Sequence, residues 1–351
     1  MECPHCGHVN PETNRFCHNC GQSLLAIPAP GPTVVLSSAN LEEAGAEMPL
    51  LERLEQEGDI PASLPEPPPV DPEIPPAMVP TAQALTTRAG LAAAGYSDAG
   101  PQRANNEDHY GVFCRWQMAE TLATGEQQQA RGFFVVCDGM GGHAGGEVAS
   151  ALAVESLAMQ FQPFWDKGMP GVQTLTDIVL EANRVIYQQN EVELRRDYGR
   201  MGTTLVLLVV VDNQAAIVHV GDSRIYRVTA NQLEQLTRDH EVAEQLIDRG
   251  VDPMTARTRP DAHQLTQALG PFESDRIVPT VAFFELTEPS LFVLCSDGVC
   301  DYDLIEQNWK HALLPHLAPH TSLRTGAKEL VELANQFNGH DNATAVLVRW
   351  A

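Results

Sequence analysis

The sequence predicts an α+β fold with antiparallel sheets. Three observations carry that expectation: short apolar runs of strand length at Phe133–Cys137, Thr203–Val211, Ala216–Val220, Leu291–Cys295 and Ala343–Val348; helical stretches between them; and a connection too short for a crossover. Residues 203–211 and 216–228 are joined by Asp212-Asn213-Gln214, which suits a hairpin, whereas a parallel pair needs a connection of a dozen residues or more. Two helices announce themselves by period. Ile178, Val179, Ala182, Val185 and Ile186 form one apolar stripe, and Leu330, Leu333, Ala334 and Phe337 form another, both read as faces turned to a core.

This globular pattern occupies residues 89–351, and two different segments precede it. Residues 1–25 contain Cys3-Pro-His-Cys6, ten intervening residues and Cys17-His-Asn-Cys20, each pair followed by glycine. That is a zinc-ribbon pattern: each pair presents two thiolates, and Cys3, Cys6, Cys17 and Cys20 together satisfy one tetrahedral structural Zn²⁺. A redox dithiol pair is the alternative. A module this small cannot bury a sufficient core, and zinc binding supplies ~10–16 kcal/mol of folding energy in such cases. A closed four-thiolate site has no open position for chemistry, so docking or targeting through a protein partner is its expected role.

Residues 26–88 hold thirteen of the 25 prolines, with acidic residues between them and almost no aromatic ones. The composition reads as a disordered linker, stiff and extended around Pro65-Glu-Pro-Pro-Pro69. Leu50, Leu51 and Leu54 suit at most a transient helix.

A formal charge of −24 argues against nucleic acid or an anionic membrane as the main partner. The longest purely apolar stretch, Leu205 to Val211, is too short to span a bilayer, and no basic-then-apolar leader opens the sequence, so a cytoplasmic protein is expected. A reducing compartment also suits the cysteines. Cys137 and Cys295 each end an apolar run just before an aspartate and are read as packing residues.

The chemistry is carried by four acidic fragments in order: Arg103-Ala-Asn-Asn-Glu107-Asp108, Asp138-Gly-Met-Gly-Gly-His143, Ser296-Asp-Gly298 and Gly339-His-Asp-Asn342. Twice an apolar strand runs into Asp-Gly, at Asp138-Gly139 and at Asp297-Gly298. A strand end on a rigid sheet fixes a carboxylate in place, and the glycine after it frees a backbone carbonyl to act as a further oxygen ligand. With Asp341 just before another strand, three carboxylates on strand tips can bridge two hard divalent cations, Mn²⁺ or Mg²⁺.

With Gly202-Thr-Thr204, Val220-Gly-Asp-Ser-Arg224, Thr237-Arg-Asp-His240 and Leu265-Thr-Gln-Ala-Leu-Gly270 added in order, residues from about 91 to 351 resemble the PPM family, the metal-dependent serine/threonine protein phosphatases of the PP2C type. The Asp-Gly-Met-Gly-Gly-His spelling is closer to bacterial members. The resemblance implies an α-β-β-α sandwich and hydrolysis of phosphoserine and phosphothreonine by a water activated at a binuclear centre, without a phosphoenzyme. By position, it implies that Asp138, the Gly139 carbonyl, Asp297 and Asp341 bind the central metal pair, with Glu107 and Asp108 holding its waters. Arg103 would receive phosphate, and Asp222 would contribute to a third metal, the alternative being a turn cap. Where animal members have a histidine after Asp-Gly, this chain has Met140, which cannot donate a proton. His143 is the candidate general acid, and its alternative is a hydrogen bond within the glycine-rich turn. His109 and His340 stay unassigned. Between His240 and Gly270 the family places a flap, here a short helix at Val242–Gly250 followed by Arg257 and Arg259, which either meet phosphopeptide or decorate the surface.

The partners implied are phosphoproteins modified by serine/threonine kinases, met by a monomer. No Cys-x5-Arg loop, Gly-x-Ser-x-Gly elbow or Walker lysine supports another phosphatase class, a serine hydrolase or a kinase. A non-catalytic phosphoprotein-binding adaptor is the competing class, and the intact acids argue against it. A third reading has the acidic linker regulate the phosphatase by occupying Arg103 or the metals.

Overall fold

The computed structural model describes residues 90–121, 125–141, 145–196 and 199–351, with backbone alone for 116–121 and 125–130. The expected ribbon, its four cysteines, the linker and His143 lie outside the described residues.

Two antiparallel sheets form the centre. The first is ordered β1 (Leu91–Asp98), β11 (Ala343–Trp350), β10 (Ser290–Cys295), β7 (Arg224–Val228) and β8 (Leu233–Gln235). The second is ordered β2 (Asp108–Thr121), β3 (Gly125–Met140), β5 (Leu205–Val211), β6 (Gln214–Val220) and β9 (Thr280–Glu285), with the two-residue β4 (Gly202–Thr203) pairing β3 beyond β5. Helices cover both outer faces. On the second sheet lie α1 (Gly145–Phe161) and α2 (Val172–Val192); on the first lie α5 (Asp297–Cys300), α6 (Leu304–Ala312) and α7 (Leu323–Phe337). Helices α3 (Val242–Asp248) and α4 (Pro253–Arg257) pack on one another through a separate small apolar cluster that includes Ala243, Ile247, Ala256 and Ala262.

Alternation explains the layers. In β3, Phe133, Val135 and Cys137 face α1 and α2, while Phe134 and Val136 face the other sheet; in β10, Leu291, Val293 and Cys295 face the helices of their own sheet, while Phe292 and Leu294 face inward. Each central strand is therefore buried on both sides, and an antiparallel sheet acquires the unbroken apolar runs that usually mark parallel ones. Cys137 and Cys295 are fully buried, as expected of packing residues. Burial pushes the Cys137 thiol well above its ordinary range.

The β5–β6 hairpin turns through Asp212-Asn213, with Val211 opposite Gln214 and Asp212 in the left-handed region at φ 56°. Residues 216–228, read as one strand, are two. The chain breaks at Gly221, whose φ of 105° an L-residue rarely adopts, and β6 and β7 belong to different sheets. The break places Asp222 at a corner between the sheets. The stripe on α7 is also corrected: Leu330 and Ala334 are buried, but Phe337 in the last turn is 69% exposed.

Candidate active site

The candidate site assembles where several strands end. Asp108 opens β2 and stands opposite Asp138 near the end of β3, so the β2–β3 ladder fixes their spacing. Asp297 follows β10 as the first residue of α5, and Asp341 lies two residues before β11. The carboxyls of Asp138 and Asp297 are within hydrogen-bonding reach, and Asp222 is close enough to raise Asp138 further.

Burial sets the electrostatics. Desolvation, followed by repulsion from Asp297 and Asp108, pushes Asp138 well above the ordinary carboxylate range. Asp222 is raised in the same way by burial and then by Asp297. Asp108 is pushed up to about 7 by burial, against hydrogen bonds from Ser296 and Thr344 that favour its charge. Ser296 Oγ donates to Asp108 Oδ2 at 2.7 Å. Asp341 adds its charge to Glu107, Asp108 and Asp297, so these acids sense one another.

The residues fit hard divalent cations by their chemistry. Asp108 Oδ1 and Asp297 Oδ1 are buried without a hydrogen-bond partner, and the surrounding charge is negative. Among the described residues no three Asp, Glu, His or Cys side chains form a closed coordination group. The acids stand in adjoining pairs, and Asp341 is engaged by arginine. Arg103 Nη2 donates to Asp341 Oδ2 at 2.7 Å, while its Nε donates to the carbonyl of His340 at 3.1 Å.

Backbone approach is close at Gly139. A Cβ there would lie 2.1 Å from the Gly146 carbonyl oxygen and 2.5 Å from that of Glu107, so only glycine lets the end of β3 pass between α1 and the Glu107 loop. Gly139 N–H donates to that Glu107 carbonyl at 3.1 Å, and Ser150 Oγ on α1 donates to it at 2.6 Å. The Glu107 carboxyl is raised mainly by burial, offset by Arg103 and by the Gly146 N–H in the first turn of α1.

Several residues that hold this arrangement were given no role of their own from the sequence. Asn342 Nδ2 donates to the carbonyls of Ala99 and Asn105 at 2.8 and 2.9 Å, and its Oδ1 accepts from the Glu107 N–H at 2.8 Å. One buried amide thus ties the loop carrying Arg103 and Glu107 to the start of β11; its presence in the Asp341-Asn342 fragment was the available signal. Thr203 Oγ1 and Thr204 N–H both donate to the Asp138 carbonyl at 2.8 Å, and Thr204 Oγ1 accepts from Asp138 N–H at 3.1 Å. Behind them, Asn190 on α2 exchanges hydrogen bonds with the backbone of Met201 at 2.8 and 2.9 Å. Two buried asparagines, Asn183 and Asn190, on the helical face that carries the apolar stripe were the clue.

His109 sits on β2 opposite Cys137, and burial lowers its basicity. His340 stands at the rim, its Nε2 3.6 Å from Asp301 Oδ2. The expected flap helix is α3, ending before Gly250 at φ 88°. Arg257 reaches Glu244 at 3.2 Å and Arg259 reaches Asp261 at 2.8 Å, so both flap arginines are engaged by local carboxylates.

An antiparallel double sheet with helices outside and carboxylates on its strand ends defines a class of metal-dependent phosphatase domains, and comparison with known proteins agrees. The sequence model for protein phosphatase 2C matches residues 119–336, and a zinc-ribbon domain matches residues 3–24. The serine/threonine protein phosphatase PstP of Mycobacterium tuberculosis is 33% identical over 255 residues, 72% of this chain but 43% of that protein, so the match spans less than half of that relative. Protein phosphatase PhpP of Streptococcus pneumoniae is 31% identical over 261 residues, 72% of this chain and 94% of PhpP. Among solved structures, Staphylococcus aureus Stp1 superposes with a TM-score of 0.60 at 28% identity, covering 77% of this chain and 98% of Stp1. The PstP catalytic domain in complex with two manganese ions superposes at 0.55 with 32% identity, covering 74% of this chain and 99% of that domain. The chain belongs to the protein phosphatase 2C family, with a zinc-ribbon sequence at its N-terminal end.

Proposed function

We propose that this chain hydrolyses phosphoserine and phosphothreonine in proteins. The observation that carries the proposal is the coupled set of buried carboxylates at the strand ends, two with unpartnered oxygens, beside a guanidinium on the rim. Asp138, the Gly139 carbonyl, Asp297 and Asp341 would hold a pair of Mn²⁺ or Mg²⁺ ions, Glu107 and Asp108 would support them from behind, and Asp222 would hold a third. Such ions supply an activated water and neutralise phosphoryl charge. The protein's own contribution is positional. Arg103 grips phosphate oxygens with its planar fork, Asn342 and the Thr203–Thr204 pair hold the acids' backbone, and Met140 leaves proton delivery to another group, for which His143 is the candidate.

The reading extends to a cytoplasmic setting and to substrates made by serine/threonine kinases; among the described residues no helix is long and apolar enough to cross a membrane. Cys3, Cys6, Cys17 and Cys20 would hold one structural Zn²⁺ in the ribbon of residues 1–25, with 26–88 as linker and 89–351 as the phosphatase domain.

Hydrolysis of p-nitrophenyl phosphate and a phosphothreonine peptide, with Mn²⁺, Mg²⁺ or chelator, tests the reading beside Asp138→Ala. Cation-dependent turnover that disappears in the variant supports it. A chain that binds cation and phosphopeptide yet turns over neither substrate is the adaptor instead.

A further inference from the structure

Residues 301–303 join α5 to α6 in an unusual way. Tyr302 and Asp303 are consecutive non-glycine residues in the left-handed region, at φ 58° and 57°. Side chains with a Cβ rarely adopt that conformation. The turn is nonetheless held: Gln307 Nε2 donates to the Tyr302 carbonyl at 3.1 Å, and Asn338 Nδ2 donates to the Asp301 carbonyl at 3.3 Å. Packing of the aromatic ring does not explain it, because Tyr302 is 75% exposed.

The ring's position gives it a use. It meets the His340 imidazole edge-on, with centroids 5.9 Å apart, and the His340 carbonyl is the group that accepts from Arg103 Nε at 3.1 Å. The ring therefore stands beside the rim position at which a phosphate would be gripped. An extended peptide advances about 3.3–3.6 Å per residue, so a side chain within two residues of the phosphorylated one comes over it. The ring face attracts cations, and Asp301 and Asp303 flank it in sequence.

We propose that Tyr302 is a specificity-determining residue that reads the substrate side chain flanking the phosphoresidue and favours lysine or arginine there. The inference rests on the phosphatase reading above and names the substrate class of that same site.

The test is kcat/KM of the full chain on phosphothreonine peptides that differ only in Lys, Ala or Glu within two residues of the phosphothreonine. Tyr302→Gly suits the left-handed turn and keeps the fold; Tyr302→Phe keeps the ring. The native chain should prefer Lys over Ala roughly 2- to 5-fold, the range of a cation on an exposed aromatic face. Tyr302→Gly should bring that ratio close to one and Tyr302→Phe should retain it, with p-nitrophenyl phosphate turnover unchanged in both. An absent Lys preference in the native chain, or one that survives in Tyr302→Gly, overturns the proposal. Failure of the native chain to hydrolyse even p-nitrophenyl phosphate sinks the phosphatase reading, and this one with it.

Discussion

His240 offers a stability measurement whose size follows from the structure. Its ring stacks on that of His219, with centroids 4.6 Å apart, and its Nδ1 accepts from the Gly221 N–H at 3.2 Å while Nε2 meets Thr280 Oγ1 at 3.1 Å. The backbone does as much: His240 N–H donates to the Gly221 carbonyl at 2.9 Å, and the His240 carbonyl accepts from Thr266 at 2.8 Å. Burial, then the neighbouring His219 and Arg238, lowers the imidazole from 6.5 to about 3. A folded value below the unfolded one means that the unfolded chain takes up a proton first, so stability is lost as pH falls below 6.5. At pH 5, one and a half pH units below that value, the loss is about 2 kcal/mol, at ~1.36 kcal/mol per pH unit. His219, also lowered by burial, adds to the loss.

The perturbation is His240→Asn, which keeps an acceptor for Gly221 and removes the titration. Urea denaturation of the native chain and the variant, followed by tryptophan fluorescence at pH 7 and pH 5, gives four free energies. The acidic cluster titrates in both proteins and cancels in the comparison. The native chain should lose about 2 kcal/mol more than the variant between the two pH values. Equal losses would show that the imidazole is protonated as readily folded as unfolded, and the burial argument would fail.

Other perturbations test the frame of the site. Asn342→Leu leaves the Ala99 and Asn105 carbonyls and the Glu107 N–H without their partner, and denaturation should show a loss of roughly 2–4 kcal/mol. Gly139→Ala forces the backbone away from a carbonyl oxygen 2.1 Å from the new methyl. Displacing the strand end by about an ångström should lower phosphatase kcat on the order of 100-fold, with circular dichroism unchanged. Arg103→Lys retains the charge but not the fork, and the KM for p-nitrophenyl phosphate should rise roughly tenfold; an unchanged KM would remove Arg103 from phosphate binding.

The parts of the fold legible in sequence were those that chain chemistry marks twice. Strands β3 and β10 carried both an apolar run and a terminal Asp-Gly, and the β5–β6 hairpin carried both its strands and its turn. Strand β1 escaped because Leu91-Ala-Ala-Ala-Gly-Tyr has little β-propensity; it is a strand because β11 pairs with it along its whole length. The division of 216–228 between two sheets turns on one positive φ at Gly221, which Val-Gly-Asp-Ser does not announce. Within the site, the carboxylates were legible because their chemistry is, whereas the ion pair between Arg103 and Asp341, 238 residues apart in sequence, needs the fold to exist. The pairing of Arg257 with Glu244 also depends on the fold, whereas Asp261 stands only two residues from Arg259 and was the signal passed over.

The β2–β3 ladder runs from the Asp108–Asp138 pair at the site to Thr121 opposite Gly125, whereas β5 accompanies β3 only from Val136 to Arg131. The outer part of that ladder is therefore two-stranded, at the end away from the acids. Chain added at its tip displaces no carboxylate, so evolution or a protein engineer can lengthen the ladder, or graft a foreign loop onto it, while the machinery at the other end keeps its spacing.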